Sequence, residues 1–233
     1  MAFIPARGGS KGVPRKNLAV IGEVSLVGRA VRLAYRIPMI DEVVVSSDDE
    51  EILQEALAHG ATIERRASTL AKDDTPTLDV LRDYLDRYPA VDVIVLLQPT
   101  SPFRTAADVT ASLDRLAEAD SVVTVTALEH PPEWTFVVGA DGRLEPLNGW
   151  DAVVGRRQDA PERFRLNGAV YVAKADHLRS GGRLVDRQTV AVVMPGLRSL
   201  DIDTELDLAV ARLLLERQDP GLLDTAADDA GPS

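Results

Sequence analysis

The feature that most constrains the fold is a pair of strand-length segments, 42–47 and 92–97, which contain the uninterrupted β-branched and aliphatic runs VVV at 43–45 and VIVLL at 93–97. Such runs, without alternating polar residues, are typical of parallel strands that are buried on both faces. Segments with helical periodicity separate runs of this kind as far as residue 127, which predicts βαβ units and an α/β, Rossmann-like fold with a mostly parallel sheet. The predicted strands are 2–5, 42–47, 61–64, 92–97, 121–127, 167–173 and 189–194, and the predicted helices are 25–36, 48–59, 77–88, 105–118 and 206–217.

Residues 128–166 interrupt this alternation. They contain both tryptophans and turn-forming pairs, namely Pro131-Pro132, Asp141-Gly142 and Asn148-Gly149. Turn residues of this kind predict an excursion from the sheet that contains a hairpin. Exposed Trp134, Phe136 and Trp150 would suit an oligomer interface, and the alternative is an excursion packed on its own domain. We predict one domain over 1–218, with the excursion at 128–166 and a disordered tail at 219–233.

Composition excludes several classes of site. The chain has no cysteine, which excludes disulfides and thiolate metal sites, and its three isolated histidines disfavour a histidine zinc site. No apolar run reaches the ~18 residues that cross a membrane. The net charge of −11 argues against general nucleic-acid binding. We expect a cytoplasmic protein that binds neither membranes nor nucleic acid.

The first seventeen residues form a glycine-rich and basic segment. A short apolar run ends in a loop with three glycines, and four cations lie within ten residues: Arg7, Lys11, Arg15 and Lys16. Backbone N–H groups of such a loop can hold phosphate oxygens, and the cations add the charge that a triphosphate needs. The spacing matches neither the dinucleotide fingerprint nor the P-loop. The loop therefore predicts a triphosphate site, and the alternative is a solvated basic turn.

Two further segments carry candidate ligand contacts. Asp201 and Asp203 are alternate residues of an extended segment, so their carboxylates point the same way and could hold Mg²⁺, unless they belong to a strand end or helix cap. Gln98 follows the strand predicted at 92–97, where ligands bind in doubly wound folds, unless the loop is an ordinary turn before a helix. The acidic run at 48–51 is interpreted as a solvated helix N-terminus rather than a metal site.

Four strings in fixed order resemble the CMP-sialic acid synthetase family, the acylneuraminate cytidylyltransferases. They are IPARGGSKGVPRKNL at 4–18, LLQPTSPFR at 96–104, RLNGAVY at 165–171 and LDIDTELDL at 200–208. The similarity covers residues 2–217. It implies a Rossmann-like nucleotidyltransferase fold, with a β-rich dimerisation excursion, and a homodimer. It also implies a Mg²⁺-dependent reaction in which CTP and a 2-keto nonulosonic acid give the CMP-sugar and pyrophosphate.

The resemblance also implies roles for individual residues. The catalytic cations are Arg7, Lys11 and Lys16, and the metal ligands are Asp201 and Asp203. The nucleotide-binding residues are Ala6, Gly8, Gly9, Ser10, Asn17, Arg66 and Thr77. The acceptor-binding residues are Gln98, Thr100, Ser101, Arg157, Arg165, Asn167 and Tyr171. Arg157 suits the acceptor carboxylate, which a guanidinium can bind bidentately, and a partner subunit could supply it.

Two alternatives stay open. One is another sugar-acid cytidylyltransferase, such as the 3-deoxy-manno-octulosonate type. The other is a nucleotide-binding module without catalysis, against which the carboxylate pair argues because a pure binder does not need it. No strong motif in 128–166 specifies which nonulosonic acid is the acceptor.

Overall fold

The computed structural model describes residues 1–10, 12–71 and 75–217. The strands are β1 (Ala2–Pro5), β2 (Val20–Ile21), β3 (Val24–Ser25), β4 (Val43–Ser47), β5 (Thr62–Arg65), β6 (Val93–Leu97), β7 (Ser121–Ala127), β8 (Phe136–Val138), β9 (Leu144–Pro146), β10 (Phe164–Lys174) and β11 (Val190–Val193). The helices are α1 (Leu26–Tyr35), α2 (Glu50–Ala58), α3 (Thr77–Arg87), α4 (Ala106–Asp114), α5 (Ala175–Arg179) and α6 (Glu205–Glu216). The order of strands and helices predicted from the sequence is confirmed.

Seven strands form the central sheet of the described chain, in the order β11-β7-β10-β6-β1-β4-β5. β1 lies in the middle and pairs in parallel with β4 and β6, so that Phe3 is opposite both Val44 and Leu96. The pairs β4–β5 and β7–β11 are also parallel. The α/β class and the mostly parallel sheet are therefore confirmed.

β10 is the antiparallel strand of this sheet, inserted between β6 and β7. It is longer than the predicted 167–173, because residues 164–166 also pair with β7, with Leu166 opposite Val125. Pairing of β10 with β6 begins only at Val170. Its register on β7 shifts between Leu166 and Tyr171, and Gly168 has a φ of +75° within that shift. The backbone at 167–169 therefore needs partners other than the neighbouring strands.

The two faces of the sheet carry separate apolar cores. Ala2 and Ile4 of β1 pack on the side of α1 and α2, whereas Phe3 packs with Leu81 and Tyr84 of α3 on the other side. Successive residues of a strand point to opposite faces, which explains why β1 and β6 have apolar residues on both faces. Helices on both faces leave the carboxyl edge of the parallel strands free for loops.

The helices α1, α4 and α6 begin at serine or threonine side chains that cap their N-termini. Ser25 Oγ accepts from the Gly28 N–H at 3.0 Å at the start of α1. Thr105 and Thr204 form capping boxes with Asp108 and Asp207 at the starts of α4 and α6. These caps satisfy orphan N–H groups and fix where the preceding loops end.

The excursion contains the predicted hairpin, in which β8 and β9 pair antiparallel with Val137 opposite Glu145. Its surface is apolar, because Val138, Leu147 and Trp150 are 66%, 64% and 66% exposed. Trp134 is held by its indole N–H, which donates to the Val154 carbonyl at 2.7 Å. The hairpin is confirmed, whereas its use as an interface stays a prediction.

None of the described helices is long and apolar enough to cross a membrane. The tail predicted to be disordered, 219–233, lies outside the described residues. Its disorder and the domain limits of 1–218 stay predictions.

Candidate functional site

A cleft of about 410 Å³ lies where the carboxyl ends of β1 and β6 meet the segment before α6. Four segments that are distant in sequence form it: the opening loop, residues between 66 and 80, the loop after β6, and residues 201–203. Of the residues predicted from the sequence, the cleft brings together Arg7, Gly9, Ser10, Lys16, Asn17, Arg66, Thr77, Gln98, Thr100, Asp201 and Asp203. Its position agrees with the rule that ligands of doubly wound sheets bind beyond the carboxyl ends of the strands.

The glycines of the opening loop allow close backbone contacts. A Cβ on Gly12 would lie 1.9 Å from the Asp203 carbonyl oxygen, and a Cβ on Gly8 would lie 2.7 Å from Asp49 Cβ. Gly9 has no neighbour within 4 Å of the Cβ position and faces the cleft. The Gly8 N–H donates to Asp48 Oδ1 at 3.0 Å. A protein carboxylate therefore occupies one of the N–H groups that were predicted to hold phosphate oxygens.

The cations of the cleft are held by nearby oxygens. Lys16 Nζ lies 2.8 Å from Asp203 Oδ1, and only 14% of the Lys16 side chain is exposed. Arg66 donates to the Ser46 carbonyl at 2.8 Å. Burial lowers the pKa of its guanidinium, and the charge of Arg7 lowers it further, whereas the Asp48 carboxylate acts to raise it. Two guanidinium groups in one partly desolvated place favour an anionic ligand. Lys11 lies outside the described residues.

The loop between these cations is fixed by its own amide contacts. Asn17 Nδ2 donates to the Arg7 carbonyl at 2.8 Å, which closes the loop across ten positions. Asn17 is 7% exposed and lines the cleft. Ala6 is fully buried, and its N–H donates to the Ser46 carbonyl at 2.9 Å. Ala6 thus continues the β1–β4 pairing rather than entering the cleft.

The two aspartates differ in their surroundings. Asp201 Oδ1 is buried and has no hydrogen-bond partner among the described residues, whereas 72% of the Asp203 side chain is exposed. Burial raises the pKa of Asp201, the Asp203 carboxylate adds to this, and a hydrogen bond from Thr100 opposes it. A buried carboxylate oxygen without a partner, beside a second carboxylate, is a donor set that suits a hard divalent cation.

These two carboxylates do not form a complete metal cage. Among the described residues, no group of three or more histidine, aspartate or glutamate side chains could hold a metal ion. Mg²⁺ commonly keeps waters and uses one or two carboxylates together with substrate phosphates, which matches a pair that faces cationic groups. The residues present therefore fit Mg²⁺ only together with a phosphate-bearing ligand.

The acidic run at 48–51 begins α2 as interpreted from the sequence, and it also holds the opening loop. Asp49 Oδ1 accepts from the N–H groups of Glu51 and Ile52 at 2.9 and 3.1 Å. Arg15 has a left-handed φ of 55° and pairs with Glu51 at 2.8 Å. No sequence pattern identifies this second role, because it depends on β1 and β4 being neighbours.

Several predicted acceptor contacts lie away from the cleft. Ser101 is fully buried, and Asn167, 2% exposed, contacts Thr124 Oγ1 at 2.7 Å and Ser199 Oγ at 2.9 Å. Neither lines the cleft. Both side chains lie within the protein scaffold, where Asn167 joins β7, β10 and the segment that leads to Asp201.

The predicted residues of the excursion and of β10 are also separate from the cleft lining. Arg157 lines a smaller pocket of about 130 Å³ at the base of the excursion, and Arg165 donates to the Leu166 carbonyl at 3.3 Å. Tyr171 is closer, since burial and the Asp201 carboxylate both raise the pKa of its hydroxyl. Within one chain, the structure does not bring the two arginines to the aspartate pair.

The cleft also contains residues that the sequence motifs did not assign. They are Pro5, Gly12, Leu70, Thr75, Val80 and Pro99. Leu70 and Val80 give one wall an apolar surface, and nothing in the local sequence distinguishes them from ordinary core residues. Gly12 and Pro99 lie inside the quoted motifs, so their position in a motif could have identified them as residues of the cleft.

The comparisons with known proteins agree on one family. A family model described as cytidylyltransferase matches residues 1–192. The chain is 35% identical over 213 residues to N-acylneuraminate cytidylyltransferase A of Danio rerio, a match that covers 90% of this chain and 49% of that protein. It is 28% identical over 230 residues to CMP-N,N'-diacetyllegionaminic acid synthase of Legionella pneumophila, covering 96% and 99%.

The chain therefore spans about half the length of the Danio rerio relative and nearly all of the Legionella one. Among solved structures, a CMP:2-keto-3-deoxy-manno-octonic acid synthetase complexed with CTP has a TM-score of 0.70 at 19% identity, covering 93% of this chain and 98% of that one. At this identity the structural likeness supports the fold alone.

The contact of Gly12 with Asp203 predicts the effect of adding one methyl group. Gly12→Ala should lower the free energy of unfolding by about 1–3 kcal/mol, because the new Cβ overlaps a backbone oxygen that has little room to move. Gly9→Ala is the matched control and should change it by less than about 0.5 kcal/mol, since that Cβ enters open space. Urea unfolding of both variants measures the difference, and equal losses would contradict the contact.

The burial of Asp201 predicts a pH-dependent gain from removing its charge. Because folding raises the pKa of this carboxyl, its contribution to stability is complete below the unfolded pKa and is lost as the pH rises through the folded pKa. Asp201→Asn should therefore be more stable than the parent chain at about pH 7, and the difference should shrink towards about pH 4. Unfolding by urea across this range, with a chelator present, measures it. Asp203→Asn removes an exposed charge and should give no such gain.

Proposed function

Because this chain belongs to the cytidylyltransferase family, we propose that it transfers CMP from CTP to the anomeric hydroxyl of a nonulosonic acid of the sialic type and releases pyrophosphate. The observation that carries the proposal is the 2.8 Å contact between Lys16 of the opening loop and Asp203 of the carboxylate pair, within one cleft. Two relatives support the choice of acceptor, since their names specify an acylneuraminate and a legionaminic acid.

In this proposal the opening loop binds the triphosphate. Arg7, Lys16 and Arg66 line the cleft and supply positive charge, and Ser10 lies among them. Asp201 and Asp203 would hold Mg²⁺, which when bound supplies positive charge to the phosphate oxygens. Lys16 belongs to the opening loop and pairs with Asp203 at 2.8 Å, so in this proposal it exchanges that carboxylate for the phosphates when CTP binds.

The proposed transfer is an in-line displacement at the α-phosphorus of CTP. The anomeric oxygen forms a new O–P bond while the bond from the α-phosphorus to the bridging oxygen breaks, and the electron pair of that bond leaves with pyrophosphate. Arg7 and Lys16 offset the charge that develops on the leaving group. No histidine lines the cleft formed by the described residues. In this proposal the anomeric hydroxyl therefore loses its proton to water.

Gln98 and Thr100 are proposed to contact the acceptor. They lie at the carboxyl end of β6, next to Asp201, and both line the cleft. The amide of Gln98 offers a donor and an acceptor, which suits the hydroxyl groups of a sugar acid. Among the sequence alternatives, the octulosonate type shares the fold at a TM-score of 0.70, and the panel below separates the two acceptors.

Pyrophosphate release from CTP over a panel of 2-keto sugar acids tests the function. The panel contains neuraminic, legionaminic and pseudaminic acids and 3-deoxy-manno-octulosonate, with ATP, GTP and UTP as nucleotide controls. We expect release with CTP and at least one nine-carbon acid. Release only with the octulosonate would favour the other cytidylyltransferase type. CTP binding by calorimetry with no release from any acid would favour a module without catalysis.

Lys16→Ala tests the assignment of the triphosphate site. Turnover should fall by at least about a hundredfold, because a cation that offsets charge on the leaving group is lost. Lys174→Ala is the control, since Lys174 forms a similar lysine–aspartate pair, with Asp120 at 2.9 Å, far from the cleft. It should keep turnover within about twofold. Near-normal turnover of a folded Lys16→Ala variant would contradict the site.

A second copy of the chain is proposed to dock on the excursion. The excursion exposes several large apolar residues, and Arg157 and Arg165 lie outside the lining of the cleft of their own chain, so they could serve the cleft of a partner. A homodimer would bury this surface, as apolar oligomer interfaces do.

Sedimentation measures the oligomeric state. We expect a mass of twice 25.2 kDa for the parent chain and a monomer for Trp150→Glu, which places a charge in the apolar surface. Leu206→Glu is the control, since Leu206 is 72% exposed but lies on α6. A monomeric parent chain, or a dimer that Trp150→Glu leaves intact, would contradict this interface.

A further inference from the structure

Arg104 is a fully buried cation that none of the assigned roles uses. It is 2% exposed, although it ends one of the motifs quoted above. Burial lowers the pKa of its guanidinium to about 9, against the opposing carboxylates of Asp108 and Asp201. Burying a charged group costs folding free energy unless its N–H donors form hydrogen bonds. The hydrogen bonds of Arg104 therefore indicate its role.

Its Nη1 donates to two backbone carbonyls, those of Gln98 at 2.5 Å and Ala169 at 3.3 Å. Gln98 is the first residue after β6, and Ala169 lies in β10, so both are one residue beyond the last β6–β10 pair, Leu97 opposite Val170. The Gln98 carbonyl also accepts from the Ser101 N–H at 3.3 Å, within its own loop. The guanidinium adds a donor that the Gln98 and Ala169 carbonyls share, and it thereby fixes the backbone of Gln98 to β10.

The side chain of Gln98 is held from the same strand. Gly168 has a φ of +75°, and a Cβ on it would lie 3.0 Å from Gln98 Oε1. The amide of Gln98 therefore lies against bare backbone that any other residue would cover. Arg104 and Gly168 together set both the main chain and the side chain of a residue that lines the cleft.

We propose that Arg104 is a positioning residue for acceptor selection, which acts through Gln98 and leaves CTP binding unchanged. The proposal rests on the proposed function, since it assumes that Gln98 contacts the acceptor. The nucleotide side of the cleft is formed by Arg7, Lys16 and Arg66, which lie on other elements. Arg104 makes its two backbone contacts on the acceptor side only.

A double-mutant cycle tests whether Arg104 acts through Gln98. Arg104→Lys keeps the charge near Asp201 but loses the planar guanidinium, and Gln98→Ala removes the amide. Each should raise the KM for the acceptor about tenfold with the KM for CTP within about twofold, and the double variant should be no worse than Gln98→Ala alone. Additive effects in the double variant would overturn the proposal.

Gly168→Ala approaches Gln98 from the other side and does not depend on the folding of an arginine variant. It should raise the acceptor KM in the same way, because the new Cβ presses on Oε1 and the backbone there disfavours a side chain. Arg82→Lys is the matched control, since Arg82 also bridges two carbonyls, of Leu178 and Gly182, at 3.2 and 2.9 Å. It should leave both KM values unchanged.

The outcomes separate this inference from the function on which it rests. An active parent chain, with an unchanged acceptor KM in folded Arg104→Lys and Gly168→Ala, would overturn the role of Arg104 and leave the function intact. A rise in the CTP KM equal to that of the acceptor would also overturn it. A parent chain that releases no pyrophosphate with any sugar acid would contradict both.

Discussion

The close approach of Gly12 to the carbonyl of Asp203 is the contact on which the cleft depends. It brings the loop after β1 against the segment before α6, and it allows Lys16 and Asp203, 187 positions apart, to pair at 2.8 Å. β1 can supply this loop because it lies in the middle of the sheet, between β4 and β6. A four-residue strand is sufficient for that position, since parallel neighbours and helices cover it on all sides.

The elements that the sequence predicts well are those whose signal is local. Buried parallel strands are rich in β-branched and aliphatic residues, and the hairpin follows its turn residues, so the strands at 42–47 and 92–97 and the hairpin within 128–166 were identifiable. The antiparallel direction of β10 and its first three residues were not predictable, because they depend on pairing with β7. Direction is a property of the assembled sheet and leaves little trace in one strand.

For the site, the motifs identified the segments better than the individual roles. Asn167 and Ser101 lie inside strong motifs, yet both are buried in the scaffold, and the amide of Asn167 satisfies the hydroxyl groups of Thr124 and Ser199. Conversely, Asp48 and Glu51 looked like an ordinary helix start, and they also hold the opening loop through Gly8 and Arg15. A polar residue in a motif can support a site as well as touch its ligand, and only the fold separates the two.

The acidic partners of the opening loop change how its charge should be counted. Lys16 is already paired with Asp203, Arg15 with Glu51, and Arg66 lies near the Asp48 carboxylate. Ligand binding at Lys16 is therefore an exchange of partners rather than the neutralisation of a bare cation. Because these carboxylates already offset part of the positive charge, the affinity for an anion in this cleft should depend on ionic strength less steeply than four cations in ten residues suggest.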